Sequence, residues 1–170
     1  FTARILNFRL LYFYFTIHTL GDKFIIKDEF GNEKYYVQGK VISLGDKLTM
    51  FDMQQNVLAY IEQELFRFLP TYNIYINGMH IARVRKEFTL FQSKFTIESS
   101  NGHYTVQGDF FAHEFIIYKN NSVVATVSKK FFSFSDTYGV DVNDNEDQVF
   151  ILALVIVIDQ VLHDNKKNNS

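Results

Sequence analysis

The stretch DQVFILALVIVIDQVL (residues 147–162) decides the architecture, because it holds ten consecutive apolar residues, Val149 to Ile158. Ten residues are too few to cross a bilayer core of about 30 Å, which takes roughly 20 in a helix. The many β-branched residues favour a buried strand, whereas the length favours a helix. The acidic segment DNED (144–147) would cap a helix, and a helix without a polar face must be surrounded by protein. We therefore predict a buried helix over residues 146–162.

The composition indicates one globular domain over residues 1–170, long enough to bury a core without disulfides. Hydrophobic residues make up 47% of the chain and aromatic residues 17%, which excludes a disordered protein. The net charge of −2 provides no global field for nucleic acid, so no nucleic-acid partner is expected. The absence of cysteine excludes disulfides and thiolate chemistry, and it is compatible with the predicted cytoplasmic location.

Residues 1–20 (FTARILNFRLLYFYFTIHTL) are open to two interpretations. Arg4 and Arg9 precede the apolar run LLYFYFTI, as in a short secretory signal. No small-residue cleavage site follows, which favours a first β-strand rich in aromatic residues.

Three segments repeat one plan of strand, turn and strand: TMFDMQQNVLAYIEQEL (49–65), NIYINGMHIARVRKEF (73–88) and FIIYKNNSVVATVSKKF (115–131). Their turns are predicted at 54–56, 77–78 and 120–121. Asn77–Gly78 is the clearest of these, because a type I′ turn needs positive φ at both central residues. The pattern predicts three β-hairpins.

The return strands of these hairpins place an alanine at the same position each time. Because side chains alternate along a strand, each alanine and the apolar residue two places on should face the interior, and the intervening residues should face outward. A small residue at a repeated interior position indicates that something bulky packs against it. The predicted interior pairs are Ala59/Ile61, Ala82/Val84 and Ala125/Val127.

A longer repeat relates KFIIKDEFGNEKYYVQGK (23–40) to KFTIESSNGHYTVQGDF (94–110), so the chain has two pseudo-repeated halves. Antiparallel strands at a spacing of about 8 to 12 residues are typical of a sandwich or a barrel. A closed barrel also supplies the protein surround that the apolar helix requires. We therefore predict a mainly β protein, a closed antiparallel β-barrel that encloses its hydrophobic C-terminal helix.

Five ordered segments together carry a family resemblance: LGDKFIIKDEFGNEKYYVQGKVISLGDKL (20–48), LAYIEQEL (58–65), LPTYNIY (69–75), FTIESSNGHYTVQGDFFAHEFIIY (95–118) and FSFSDTYGVDVNDNEDQVFILALVIVIDQVLHD (132–164). In these segments the sequence resembles the LURP-one-related family of the tubby-like C-terminal superfamily, to which the phospholipid scramblases are related. The resemblance covers residues 20–164 and leaves a polar tail at 165–170. It implies about twelve strands, no enzymatic activity and no cofactor, and it transfers no lipid-binding residue.

The motifs for catalysis and metal binding are incomplete. DVNDNED (141–147) opens like a calcium loop, but Glu146 stands where the loop needs glycine and Leu152 where it needs glutamate, so helix capping is the favoured interpretation. His113–Glu114 begins like a zinc protease motif, yet Ile117 replaces the second histidine. No metal site, catalytic residue or cofactor is therefore predicted.

One basic cluster is the candidate site: Arg83, Arg85 and Lys86 on the second hairpin, with Lys129 and Lys130 at the equivalent point of the third. If the two strands lie close together, these cations form an anion site; otherwise they are solvated charges that protect strand edges. The favoured function is a non-catalytic binding or scaffold protein with an unknown protein partner. The alternative is a peripheral binder of anionic phospholipid head groups, without a transmembrane segment.

Overall fold

The structure is a computed structural model that describes residues 12–20, 23–40, 43–90, 93–129 and 137–168. Within these ranges it contains twelve strands and one helix, which are joined by turns and loops. The elements are β1 (Tyr12–Leu20), β2 (Lys23–Asp28), β3 (Glu33–Gly39), β4 (Lys47–Asp52), β5 (Val57–Gln63), β6 (Thr71–Ile76), β7 (Met79–Lys86), β8 (Phe95–Ser99), β9 (Tyr104–Asp109), β10 (Glu114–Lys119), β11 (Ser122–Ser128), β12 (Thr137–Asn143) and α1 (Gln148–Asn168).

The twelve strands form one closed antiparallel barrel, as predicted. Each strand pairs with its neighbours in sequence, and β1 pairs with β12 to close the ring. At this closure Phe15 lies opposite Val140, and both side chains are buried. The aromatic stretch near the N-terminus is therefore a strand over residues 12–20, which confirms that interpretation for the described part of the stretch.

The three predicted hairpin turns contain residues with positive φ angles. Asn77 and Gly78 have φ values of 50° and 76°, and Asn120 and Asn121 have values of 48° and 68°. Positive φ at both central residues matches the right-handed twist of the flanking strands. The turn at 54–56 contains one residue of this kind, Gln55 at 69°.

The inward and outward faces follow the predicted alternation. Every member of the three alanine-containing pairs is at most 1% exposed. Leu48, Ile61, Ile74 and Ala82 are successive cross-strand partners on β4 to β7, and together they form a continuous interior row. Cross-strand apolar rows of this kind fix the register, since a one-residue slip would expose the whole set.

Helix α1 fills the barrel. Its residues 150–158 are at most 1% exposed, which confirms the buried helix. It begins at Gln148, two residues later than predicted, because Asp147 is the N-cap: its Oδ1 accepts a hydrogen bond from the Phe150 N–H at 3.0 Å. It ends at Asn168 rather than 162, because each residue added to an existing helix gains a backbone hydrogen bond.

The helix lies closest to β5, β6, β7 and β12. Ala59 on β5 and Ala82 on β7 have no bulk beyond Cβ, and they leave room for the helix on that side. Ala125 belongs to β11, which is outside this set. The prediction that a bulky element packs against the alanines therefore fits two of the three hairpins best.

The two ends of the barrel differ. The turn end carries the start of α1 and the short turns at residues 29–32, 53–56, 77–78, 100–103 and 120–121. The loop end carries the connections that follow β3, β5, β7, β9 and β11, whose described parts include residues 43–46, 64–70, 87–90 and 110–113. Two polar contacts fasten α1 at the loop end: Gln160 Nε2 donates to Asp46 Oδ2 at 3.0 Å, and His113 Nε2 lies 2.6 Å from Asp159 Oδ1.

Candidate binding surface

The predicted basic residues lie towards the loop end but in two separate groups. Arg83 and Arg85 point outward from β7, Lys86 ends that strand, and Lys129 follows β11. Three strands, β8 to β10, separate the two groups, which corresponds to roughly 19 Å along the wall at the usual strand spacing. Lys130 lies outside the described residues. The structure thus does not place the groups side by side, and anion binding by them stays a prediction.

The Arg83 side chain forms an ion pair with Glu64, which follows β5. The Arg83 guanidinium donates from Nε to Glu64 Oε1 at 2.6 Å and from Nη2 to Oε2 at 3.1 Å. Glu64 also accepts hydrogen bonds from Arg67 Nε at 2.6 Å and from Asn73 Nδ2 at 3.2 Å. These donors, Arg83 first, lower the pKa of Glu64 from 4.5 to about 2.

The other described cations of the predicted cluster have different surroundings. Arg85 is exposed, and its Nη2 lies 4.0 Å from Glu87 Oε1, at the limit of an ion pair. Lys86 is half-buried, and burial lowers its pKa. The backbone N–H of Lys129 donates to Glu114 Oε1 at 2.8 Å, which fixes the chain where β11 ends. Among the described residues of the predicted cluster, Arg85 is the exposed one and is therefore the best placed to meet an external anion.

Several exposed apolar side chains lie at the loop end, and no prediction from the sequence included them. Phe66 is fully exposed and Phe68 is 91% exposed, so neither packs against the barrel. Of the five exposed phenylalanines in the described part of the chain, four lie at this end and only Phe30 lies at the turn end. We call this set the apolar tips: Leu44, Leu65, Phe66, Phe68, Phe88, Leu90 and Phe111.

The β5–β6 loop (residues 64–70) is held firmly although its tips are exposed. Its first residue is Glu64, the acceptor of four side-chain hydrogen bonds. Leu65 packs so closely on Gly45 that a Cβ there would lie 2.8 Å from the leucine Cδ2. At the other end of the loop, the Lys86 N–H donates to the Pro70 carbonyl at 3.0 Å. Neighbouring elements on both sides therefore fix this loop.

Charge is distributed unequally between the two ends. Among the described residues at the loop end, the charges nearly balance; the cations are Lys23, Lys40, Lys47, Arg67, Arg85, Lys86, Lys94 and Lys129, against Asp46, Glu62, Glu64, Glu87, Asp109, Glu114 and the buried Asp159. At the turn end the carboxylates prevail, with Asp28, Glu29, Glu33, Asp52, Glu98, Asp144, Glu146 and Asp147 against Lys27, Lys34 and Lys119. The protein therefore carries a charge gradient along the barrel despite its small net charge.

The incomplete calcium motif has a structural role. Asn143 Oδ1 accepts a hydrogen bond from the Asn145 N–H at 3.0 Å, and Asp147 caps α1. Capping, the favoured interpretation, is therefore confirmed. Among the described residues, no three His, Asp or Glu side chains are grouped as metal ligands.

Two open depressions lie on the outer surface. One, of about 410 Å³, is lined by residues 62–67 and Asn73, beside the β5–β6 loop. The other, of about 520 Å³, lies on β3 to β5, and its lining includes Lys40, Lys47, Phe51 and Tyr60. Lys47 forms an ion pair with Glu62 at 3.1 Å.

The family model described as LURP-one-related matches residues 13–159, which include the twelve strands except the first residue of β1, and α1 as far as Asp159. This chain belongs to the LURP-one-related family. Among curated proteins, this LURP-one-related chain is similar to the uncharacterized protein YxjI of Bacillus subtilis, with 36% identity over 145 residues that cover 85% of this chain and 88% of the relative. It is also similar to protein LURP-one-related 15 of Arabidopsis thaliana, with 22% identity over 84% of this chain and 75% of that protein.

The fold of this LURP-one-related chain is shared with a solved structure. An X-ray structure of an Arabidopsis thaliana protein matches it with a TM-score of 0.67 and 18% identity, over 89% of this chain and 91% of the other. Within the described residues, no helix has the length and apolar character needed to cross a bilayer.

Proposed function

We propose that this LURP-one-related protein is a non-catalytic binding module that contacts its partner through the loop end of the barrel. The observation that carries the proposal is the set of apolar tips, which are exposed on the loops at one end of the barrel. Exposed apolar side chains gathered at one end of a domain indicate an interaction site, and loops on a folded scaffold commonly carry function. The barrel interior is filled by α1, which leaves the outer surface for binding.

Site-specific photo-crosslinking tests this proposal with a matched pair of positions. A photoreactive phenylalanine analogue replaces Phe66 in one variant and Phe30 in the other, so that both probes are exposed and only the end of the barrel differs. In the native cell, we expect discrete adducts from position 66 and none from position 30. Adducts formed only from position 30, or equally from both, would contradict binding at the loop end.

A second candidate function is peripheral binding to anionic phospholipid head groups. The charge gradient favours it, because an anionic surface attracts the lysine and arginine residues of the loop end by roughly 1 kcal/mol each. The same field repels the acidic turn end. An anionic membrane would therefore orient the barrel with its apolar tips towards the lipid.

Vesicle co-sedimentation tests the lipid candidate. We expect binding to phosphatidylserine-containing vesicles that weakens as salt is added, because exposed charges are screened over about 8 Å at physiological ionic strength. Arg85→Glu with Lys86→Glu should abolish binding. Lys27→Glu with Lys34→Glu makes the same change of charge at the turn end and should leave it intact. Wild-type protein that ignores anionic vesicles at low salt would exclude this function.

A further inference from the structure

We infer that the β5–β6 loop is a preformed membrane anchor, in which Phe66 and Phe68 enter the boundary between head groups and acyl chains and Arg83 is a positioning residue. This inference rests on the lipid candidate of the proposed function. It adds that the protein contacts the apolar part of the bilayer, and it names the residues that reach this part.

The backbone of Phe66 is the first observation. Its φ is 58°, in the left-handed region that bulky residues rarely adopt. Its side chain is fully exposed, so packing of the ring does not compensate for this conformation. Residues in strained backbone conformations cluster at functional sites. Here the conformation presents an aromatic ring to the surroundings.

The hydrogen bonds of Glu64 are the second observation. Its carboxylate joins three parts of the structure: Arg83 on β7, Asn73 on β6 and Arg67 within the loop itself. Glu64 and Arg67 flank Phe66, so the ion pair between them closes the turn that carries the ring. A loop that is already fixed loses less conformational entropy on binding than a mobile one. The role inferred for Arg83 is therefore to hold the loop in position through Glu64, and not to bind a lipid phosphate.

The arrangement of the apolar tips is the third observation, and it fits a bilayer. The tips lie on separate loops that project from one end of a closed ring of strands, and cations stand among them. A bilayer complements such a surface, because the apolar tips can enter the region of the acyl chains while the cations contact the phosphates of the head groups. The acidic turn end faces away from the membrane in this orientation.

The anchor can be tested by fluorescence, because the chain contains no tryptophan. Phe66→Trp places one probe in the anchor, and Phe30→Trp places the matched probe at the turn end. With phosphatidylcholine–phosphatidylserine vesicles, emission from position 66 should shift to the blue and be quenched by lipids brominated near the head group. Emission from position 30 should not change. Phe66→Ala with Phe68→Ala should lower the partition coefficient by about 100-fold, roughly tenfold for each ring removed from the lipid.

The role of Arg83 is tested in the Phe66→Trp background. Arg83→Gln should reduce the blue shift and the quenching at saturating lipid, while the melting temperature falls by only a few degrees. Arg83→Lys should restore part of the shift. Arg85→Gln is the matched control, since it removes an equal charge from the same strand without loosening the loop. It should weaken binding but leave the depth of the probe unchanged.

The outcomes separate this inference from the functions proposed above. If wild-type protein binds anionic vesicles but a probe at position 66 stays in water, the anchor is wrong and the head-group function stands. If Arg83→Gln and Arg85→Gln have the same effect on probe depth, the positioning role is wrong. If wild-type protein fails to bind vesicles at low salt, the lipid function and the anchor are both wrong. The crosslinking experiment alone then tests whether the loop end binds a partner.

Discussion

At the scale of single residues, Gly108 is the position where the barrel wall has no room for a side chain. Its φ is 141°, and an added Cβ would lie 2.6 Å from the Phe115 Cα on the neighbouring strand. Gly78 also has positive φ, at 76°, but a Cβ there would meet nothing within 4 Å. A substitution at Gly78 therefore introduces backbone strain alone, whereas a substitution at Gly108 also introduces a steric clash.

Gly108→Ala should lower the free energy of unfolding by about 3 kcal/mol or more, because strand β10 has to move to accept the new methyl group. Gly78→Ala should cost only about 1–2 kcal/mol, the penalty for alanine in the left-handed region. Urea denaturation of both variants measures the difference. Equal losses would show that the contact between β9 and β10 is looser than described.

Glu64 makes stability depend on pH in the acid range. Its pKa falls from 4.5 in the unfolded chain to about 2 in the folded protein, chiefly because Arg83 donates to the charged carboxylate. The folded state therefore gains stability from this group above pH 4.5 and loses it as pH falls towards 2. Allowing for solvent screening, the contribution is about 1–2 kcal/mol.

Glu64→Gln should accordingly lower the free energy of unfolding most at neutral pH and match the wild type near pH 2. Glu98→Gln is the control: Glu98 is 59% exposed, and its Oε2 lies 3.7 Å from Arg83 Nη1, so its loss should matter little. Denaturation curves between pH 2 and 7 measure both. A constant difference between Glu64→Gln and the wild type across this range would contradict the account.

At the scale of secondary-structure elements, the N-cap of α1 gives the clearest prediction. Asp147→Ala should lower the free energy of unfolding by about 1 kcal/mol, because the Phe150 N–H loses its acceptor. For a domain of this size the melting temperature should fall by about 2–4 °C. Asp144→Ala, at an exposed position of the preceding turn, should change it less. Equal effects would assign the loss to charge rather than to capping.

The elements could be predicted because their signals are local. Asn77–Gly78 specifies its turn through two adjacent residues, and the run from Val149 to Ile158 is apolar whatever surrounds it. The end of the helix could not be predicted in the same way. Apolar patterning stops at Leu162, whereas the backbone continues in helical conformation to Asn168.

At the scale of the whole molecule, the surface depends on how the barrel closes. In the sequence, Arg83 and Lys129 occupy equivalent points of two hairpins, which leaves open whether they lie close together. In a closed barrel, equivalent positions of a repeat are rotated around the axis, and three strands separate these two. The ion pair between Arg83 and Glu64 was missed for a similar reason, since its partners are 19 residues apart and meet only through the register of β5 to β7.

The apolar tips were missed because the same letters describe core and surface phenylalanines. Phe115 and Phe66 look alike in the sequence, yet Phe115 is 3% exposed and Phe66 is fully exposed. Only the closed ring shows that the exposed residues of separate loops belong to one end. A functional surface assembled from loops in this way has no local sequence signal.

Hydrogen exchange with and without anionic vesicles tests the central claim, that α1 is a structural core and that the loop end is the binding surface. In the free protein, amides at residues 150–158 should exchange slowest, since they lie inside the barrel. With phosphatidylserine-containing vesicles, protection should increase in residues 64–70 and 87–90, while the turns at 29–32 and 53–56 remain unchanged. Fast exchange at 150–158, or protection confined to the turn end, would contradict the account.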